Sequence, residues 1–184
     1  LTPEVDGTMV IAGNLTNHGT TIVTSGDTLI VGGQTYSDGS LEITATGHFR
    51  MSGKGIRSLG SMTVAGRIDG AGSVVIEKGS FSMTDGEIRS SNGKAALKVE
   101  EGKNVSFAGG SIINTSQAGA AVQWSDKAAS LTAPKTALLS QSVNPVQDGS
   151  GNALSIPGLG VVEIGNATHG IGVVKSAPAS GEPE

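Results

Sequence analysis

The stretch SVVIEKGSFSMTDGEIRSSNGKAALKVEEGKNVSFAGGSIINTSQAGAAVQW, residues 73–124, contains one pattern twice. Within each copy the apolar residues stand two apart, so their side chains turn to the same face of a strand. The copies are offset by 23 to 24 residues: Val74-x-Ile76, Phe81-x-Met83 and Ile88 return as Leu97-x-Val99, Val105-x-Phe107 and Ile112. Three short strands per copy, separated by glycine-containing turns, predict an all-β fold in which each copy is one coil of a parallel β-helix.

The same kind of signal extends on both sides of this stretch, starting at Thr8. A seven-residue interval between a strand and the next apolar residue recurs at Leu29–Tyr36, Phe49–Ile56, Phe81–Ile88 and Val105–Ile112. GTMVIAGNL (7–15) is echoed by GSMTVAGRI (60–68), which indicates coils of unequal length. We therefore predict about five to seven coils over residues 8–132, each of roughly 20 to 24 residues.

The period ends after Trp124, and this divides the chain. Residues 1–7 are predicted to be an N-terminal arm, 8–132 the β-helix, 133–175 a capping or oligomerisation segment, and 176–184 a flexible tail. Inside the capping segment, residues 135–142 form the only helix-like piece. Residues 161–165 and 170–174 are predicted to be two strands, arranged as a hairpin or separately.

Composition agrees with a repetitive β fold and excludes some chemistry. Glycine accounts for 29 of 184 residues, aromatic residues for 3 % and charged residues for 15 %, whereas globular enzymes usually carry more aromatic and charged residues. The absence of cysteine excludes disulfides and thiol catalysis. No apolar run has the length of a membrane span. We expect a secreted, cell-surface or virion protein.

Charge is unevenly distributed along the chain. Residues 50–103 hold nine of the twelve Lys and Arg residues against six acidic ones, although the net charge of the whole chain is −4. A solvated surface of mixed sign is the simple interpretation. The sharper one is a weakly basic face that meets an anionic polysaccharide or a cell envelope. Nucleic acid does not fit, because the overall charge is negative and no aromatic residues alternate with the basic ones.

Candidate catalytic residues are few. His18, His48 and His169 are far apart in sequence, and no His/Asp/Glu group has the spacing of metal ligands. We therefore assign no catalytic residue, cofactor or metal, and predict a protein without enzymatic activity. The best acidic constellation, which a polysaccharide hydrolase or lyase would use, is Asp69, Asp85 and Glu87 with Arg89. Its structural interpretation is simpler: Asp85-Gly86 is an ordinary turn dipeptide, and Glu87 points outward from its strand.

Two large aromatic residues have either a core or a ligand-binding interpretation. Tyr36 is expected to fill a core corner equivalent to Ile56 and Ile88, and Trp124 to close the apolar stack where the repeat ends. If exposed, either ring would suit stacking on a sugar. Asn-x-Ser/Thr sequences, the acceptor pattern for N-glycosylation, occur at Asn14, Asn104, Asn114 and Asn166.

Two segments carry a resemblance to known proteins. TLIVGGQTYSDGSLEI (28–43) is similar to the short passenger repeat of bacterial autotransporters, and FAGGSI (107–112) resembles the Gly-Gly-Ala-Ile element of polymorphic outer-membrane proteins. The resemblance implies a pectin-lyase-like, right-handed β-helix exposed on a cell and used for adhesion, aggregation or as a stalk. Phage tailspikes, fibres and capsid-decoration proteins use the same architecture, usually as trimers, and a non-periodic segment such as 133–184 suits them.

Three functions follow as expectations, in this order. The first is a structural or adhesive surface module, whose partner is a cell-surface polysaccharide or another protein subunit. The second is a subunit of a virion or extracellular filament. The third is a polysaccharide-degrading enzyme.

Overall fold

The protein is an all-β parallel solenoid of about six turns. A computed structural model describes residues 7–101, 104–116, 118–125, 131–132, 137–140, 146–152, 161–163 and 173–175. Each turn contributes one strand to each of three parallel sheets, as the repeat predicts. Among the described residues there is no helix of the length and apolarity needed to span a membrane.

The strands follow one another around the three sheets in a fixed order. Sheet A contains β1 (Thr8–Ile11), β4 (Thr28–Val31), β7 (His48–Met51), β10 (Arg67–Gly70), β13 (Glu87–Ser90), β16 (Ser111–Asn114) and β19 (Ala137–Ser140). Sheet B contains β2 (Leu15–Asn17), β5 (Thr35–Ser37), β8 (Ile56–Ser58), β11 (Val74–Ile76), β14 (Leu97–Val99), β17 (Val122–Trp124) and β20 (Val146–Gln147). Sheet C contains β3 (Thr20–Val23), β6 (Ser40–Ile43), β9 (Ser61–Val64), β12 (Ser80–Met83), β15 (Asn104–Phe107) and β18 (Leu131–Thr132).

The strand register matches the sequence repeat residue by residue. Val74 pairs with Leu97 in sheet B, Phe81 with Val105 in sheet C, and Ile88 with Ile112 in sheet A. The predicted alignment of the two copies is therefore confirmed. Stacking buries the inner faces of successive coils against one another and pairs their backbone groups along the axis, which one coil cannot do alone.

The core is a set of apolar columns inside the solenoid. Alternate residues of each strand point inward, and the largest fully buried side chains include those of Phe49, Phe81 and Phe107. Trp124 is only 8 % exposed and belongs to the same core, as predicted. Outward residues are mostly polar, so the alternation in sequence becomes the separation between core and surface.

Glycine allows neighbouring coils to approach closely at the corners. Gly86 has φ of 84°, and a Cβ atom placed on it would lie 2.0 Å from the carbonyl oxygen of Gly66 in the preceding coil. That distance is shorter than any real contact, and the left-handed backbone conformation disfavours other residues. Gly110, the equivalent residue in the next coil, has φ of 78°, and a Cβ atom on it would lie 2.4 Å from the carbonyl oxygen of Gly86, so these glycines mark a place where corner stacks on corner.

Buried amide side chains hold two other corners. The side chain of Asn17 donates to Oγ of Ser37 at 2.9 Å and to the carbonyl oxygen of Ser40 at 2.8 Å. Asn114 is 1 % exposed, and its Nδ2 donates to the carbonyl oxygen of Ala120 at 2.9 Å. Both satisfy backbone groups that bend out of the sheets. Because Asn114 is enclosed in this way, its Asn-x-Ser/Thr sequence is not accessible to a glycan in the folded chain.

The expectation for Tyr36 was wrong. Thr35, not Tyr36, pairs with Ile56 and is buried, whereas Tyr36 pairs with Arg57 and lies half-buried on the outer face. The corner between β4 and β5 has three residues, 32–34, whereas the corner between β7 and β8 has four, 52–55. A difference of one residue moves every following side chain of the strand to the opposite face.

Strands continue beyond residue 125. β18, β19 and β20 add to sheets C, A and B respectively. The expected helix-like piece at 135–142 is wrong where it can be checked, because residues 137–140 are strand β19. The two predicted strands near the C-terminus are present as β21 (Val161–Glu163) and β22 (Val173–Lys175), which pair antiparallel. The N-terminal arm and the tail, 176–184, lie outside the described residues, except for Gly7.

Candidate functional site

The three sheets present chemically different outer faces. On sheet C, the outward side chains of strands β3, β6, β9, β12 and β15 are mostly hydroxyls, and Glu42 is the only charged one among them. Sheet A carries a mixed cluster of acidic and basic residues. Sheet B carries a groove with an excess of positive charge. Charge therefore concentrates on sheets A and B.

Asp69 is the centre of the cluster on sheet A. Its carboxylate lies 2.9 Å from Nη2 of Arg67, 3.1 Å from Nε2 of His48 and 3.7 Å from Nε of Arg50. Strands β7 and β10 place these residues side by side, since Arg50 and Asp69 are register partners. A cross-strand pair of opposite charge such as Arg50 and Asp69 contributes modestly to sheet stability.

The residues proposed for an enzyme are only partly brought together. Asp69 pairs in register with Arg89, and Nε of Arg67 lies 3.6 Å from Oε1 of Glu87. Asp85 stands apart, exposed in the turn before β13. Both clustered carboxylates thus contact the guanidinium group of Arg67. This arrangement is a ladder of ion pairs, which agrees with the structural interpretation of these residues.

A broad groove lies on the outer face of sheet B. Its volume is about 890 Å³, within the size range of small-molecule sites. Four cationic side chains and one carboxylate line it, an excess of three positive charges on a chain of net charge −4. We name this surface the basic groove; its polar lining is Lys54, Arg57, Lys94, Lys98, Glu100, Gln34, Asn92, Gln123 and Gln147, with Ser73.

The alternation of inward and outward residues along the strands determines which side chains form the floor of the basic groove. Arg57, Val75, Lys98 and Gln123 occupy equivalent outward positions on β8, β11, β14 and β17. Their neighbours on either side point into the core, so the direction of these side chains follows from the burial of the apolar residues. The floor of the basic groove is therefore a column that crosses successive coils along the solenoid axis.

Two cations of the basic groove are held by exposed ion pairs. Nη2 of Arg57 lies 2.6 Å from Oε2 of Glu77, and Nζ of Lys98 lies 2.8 Å from Oε1 of Glu100. The side chain of Arg57 is 45 % exposed and that of Lys98 is 37 % exposed. Exposed ion pairs contribute about 0–1 kcal/mol. An anionic ligand can therefore replace the carboxylate partner of either cation with little loss of free energy.

The other two cations are free of such partners. The side chains of Lys54 and Lys94 are exposed and make no ion pair with any residue that the structure describes. Lys94 sits in a fixed turn, because Oδ1 of Asn92 accepts from its backbone N–H at 2.6 Å. Nδ2 of Asn92 in turn donates to Oγ of Ser73 at 3.0 Å. The ammonium group of Lys94 is therefore available from a rigid corner.

The sequence indicated a basic face but not which residues form it. Lys54 and Lys94 each follow a glycine, but a Gly-Lys dipeptide does not show that two corners line one groove, so the fold is needed to reveal it. The other candidates lie elsewhere: His18 pairs with Asp38 at 2.9 Å on an exposed corner. His169 and Asn166 are outside the described residues. Within the described ranges, no group of three or more His, Asp or Glu side chains is placed to hold a metal ion.

Comparisons of the chain with models of protein families, with curated proteins and with solved structures give no significant match. A function is therefore proposed from the surface chemistry of the fold.

Proposed function

We propose that this chain is a non-enzymatic, surface-exposed structural or adhesive module that binds an acidic polysaccharide in its basic groove. The observation that carries the proposal is the excess of three positive charges in one groove of an acidic chain. The lining extends from β8 to β20, five adjacent strands. At about 4.8 Å per strand this is roughly 19 Å. An extended chain of several sugars fits such a length.

The chemistry of the lining suits acidic sugars. Ammonium and guanidinium groups bind carboxylate and sulfate through charge-assisted hydrogen bonds. The amide side chains of Gln34 and Gln123 offer both donors and acceptors to sugar hydroxyls. No aromatic residue is among the described lining residues, whereas binding of single-stranded nucleic acid usually relies on aromatic stacking.

The resemblance of residues 28–43 to autotransporter passengers supports the same proposal. This segment folds as β4, β5 and β6, a complete coil of the solenoid. We therefore extend the proposal to a right-handed, pectin-lyase-like β-helix on a cell surface or in the secreted fraction. A repetitive shaft that carries a binding groove suits adhesion.

Calorimetric titration with acidic and neutral polysaccharides tests the proposal. We expect binding of polyuronates but not of dextran, and weaker binding as ionic strength rises. Lys54→Gln together with Lys94→Gln should weaken it strongly. Lys78→Gln is the matched control, because Lys78 is exposed on a different corner. Equal binding of dextran, or an equal effect of the control variant, contradicts the proposal.

A second function, subunit of a virion or extracellular filament, is favoured by the first coil. Within the described residues β1 pairs only with β4, so its other edge has no strand partner. Val10 on that strand is 65 % exposed. Open strand edges invite pairing with another chain. Light scattering distinguishes the two: a stable trimer or polymer favours assembly, and a monomer that binds glycan favours adhesion.

A further inference from the structure

The basic residues around the groove lie on two coils that are separated by one intermediate coil. Arg50 and Arg89 lie on either side of Asp69 in sheet A, and Arg57 and Lys98 on either side of Val75 in sheet B. At the corner between these sheets the same two coils contribute Lys54 and Lys94. On these two sheets and the corner between them, one coil (48–64) thus supplies three cations, and the coil two turns later (87–107) supplies three more.

The coil between them, residues 67–83, offers no free cation at the equivalent positions. At the positions that pair with Arg50 and Arg57, this coil has Asp69 in sheet A and Val75 in sheet B. Arg67 also belongs to this coil, but it is not at the position of Asp69: it lies in the second column of outward side chains on sheet A. Its guanidinium group contacts Asp69 at 2.9 Å and Glu87 at 3.6 Å. On sheets A and B and at the corner between them, the accessible positive charge therefore lies on two coils with an intermediate coil that lacks it.

The two cation-bearing coils lie at a fixed distance from each other along the solenoid axis. Adjacent strands are about 4.8 Å apart, so equivalent cations two coils apart are separated by roughly 9.6 Å along the axis. A sugar residue in an extended 1,4-linked chain is about as long as one strand spacing. A polymer lying along the axis would therefore place one sugar over each coil, with cations under every second sugar.

We propose that the ligand of the basic groove is a flat, twofold β-1,4-linked polyuronate, a ribbon whose carboxylates face the protein at every second sugar. This inference rests on the proposed function and names its ligand class. Carboxylates of alternate sugars meet the pair Lys54 and Arg57, and the pair Lys94 and Lys98. The sugar between them turns its carboxylate to solvent and lies over the uncharged side chain of Val75.

A charge-preserving variant tests the spacing. Val75→Lys combined with Lys94→Gln keeps four cations in the basic groove but moves one into the intermediate coil. Val75 is half-buried on the outer face, and Lys94 has no ion-pair partner among the described residues, so neither change buries a charge or leaves an acid unpaired. The matched controls are Lys94→Gln alone and Lys94→Arg. Thermal melting confirms that each variant folds.

Binding of β-1,4-polyglucuronate oligomers is measured by calorimetry. We expect Lys94→Arg to bind like the wild type, and both Lys94→Gln and the double variant to bind roughly two- to fivefold more weakly, as for loss of one exposed ion pair. An α-1,4-polygalacturonate of equal length, whose helical twist moves its carboxylates off one line, should also bind more weakly.

The outcomes separate this inference from the proposed function. If the double variant regains wild-type affinity, or if both polymers bind equally, only the total charge matters; the two-coil spacing is then wrong and the proposed function stands. If the wild type binds no acidic polysaccharide at all, both are wrong.

Discussion

The rings of Phe81 and Phe107 lie 5.8 Å apart at an angle of 60° inside the solenoid. The two residues are diagonal neighbours on β12 and β15, because Phe81 pairs with Val105 and Phe107 with Met83. Both rings are at most 1 % exposed. A tilted arrangement at this distance is favourable beyond the burial of area alone. The contact joins two consecutive coils through their largest core side chains.

Phe107→Ala should therefore destabilise the fold by about 3–5 kcal/mol, since it removes a ring and leaves a cavity between two coils. Urea denaturation followed by circular dichroism measures the change. Ser106→Ala is the control, because its side chain points outward from the same strand; it should change stability by less than about 0.5 kcal/mol. An unchanged midpoint for Phe107→Ala contradicts the register described above.

Gly86→Ala should be costly and Gly53→Ala should not. At Gly86 the added methyl meets a backbone oxygen at 2.0 Å, and φ is 84°; at Gly53 it meets nothing within 4 Å. The left-handed conformation alone costs roughly 1–2 kcal/mol for a residue with a side chain. Comparing the two variants by thermal melting isolates the effect of the corner contact. Similar melting temperatures would mean that the corners do not stack as tightly as the structure shows.

Asp148 should titrate below its ordinary range. A hydrogen bond from the side chain of Asn152, at 3.0 Å, is the main cause that lowers the pKa of Asp148 below 3.8, helped by the backbone N–H groups of Asn152 and Ser150. Because the folded pKa is lowered, these bonds stabilise the loop above pH 3.8 and are lost as the pH falls through the folded pKa.

An NMR titration of the Asp148 carboxyl carbon measures this effect. Asn152→Ala should raise the pKa toward its ordinary value, because it removes the largest cause. Asn104→Ala, in a distant strand, should leave it unchanged. A pKa of Asp148 that does not respond to the change at Asn152 contradicts the assigned loop geometry.

The repeat in residues 73–124 was sufficient to predict the solenoid, and the core and register of the coils that it spans. The aligned pairs Phe81–Val105 and Ile88–Ile112 are register partners in the structure, because the inward face of each strand is buried in the core and these apolar residues must lie on it. The echo between 7–15 and 60–68 was less informative. Met9 lies in sheet A and Met62 in sheet C, so similar letters occupy different sheets.

The surface was harder to predict than the core. Outward residues are not constrained by burial, so their sequence carries little information about which of them share a face. Tyr36 was misplaced by a corner that is one residue shorter. The basic groove joins Lys54 and Lys94, which are 40 positions apart in sequence. The number of residues in every intervening corner decides that both lysines line the same groove.

Asp69→Asn and Asp85→Asn distinguish an ion-pair ladder from an enzyme. If the cluster on sheet A is structural, Asp69→Asn should cost on the order of 1 kcal/mol, because two guanidinium groups and the ring of His48 lose their shared carboxylate. Asp85→Asn should be nearly silent, since Asp85 is exposed in a turn. Thermal melting measures both, with the Asp85 variant as the control for the Asp69 variant.

The same variants are then incubated with anionic polysaccharides, and the chain length is followed by size-exclusion chromatography. We expect no shortening by the wild type, because the carboxylates of Asp69 and Glu87 are both engaged by Arg67. Shortening that disappears in Asp69→Asn or Glu87→Gln would instead establish the polysaccharide-degrading alternative. Shortening that disappears in Asp85→Asn would do so too, and would move the active centre to the exposed turn before β13. If Asp69 or Glu87 is required, the ion pairs of sheet A would have to open when substrate binds, which a salt-dependent rate would reveal.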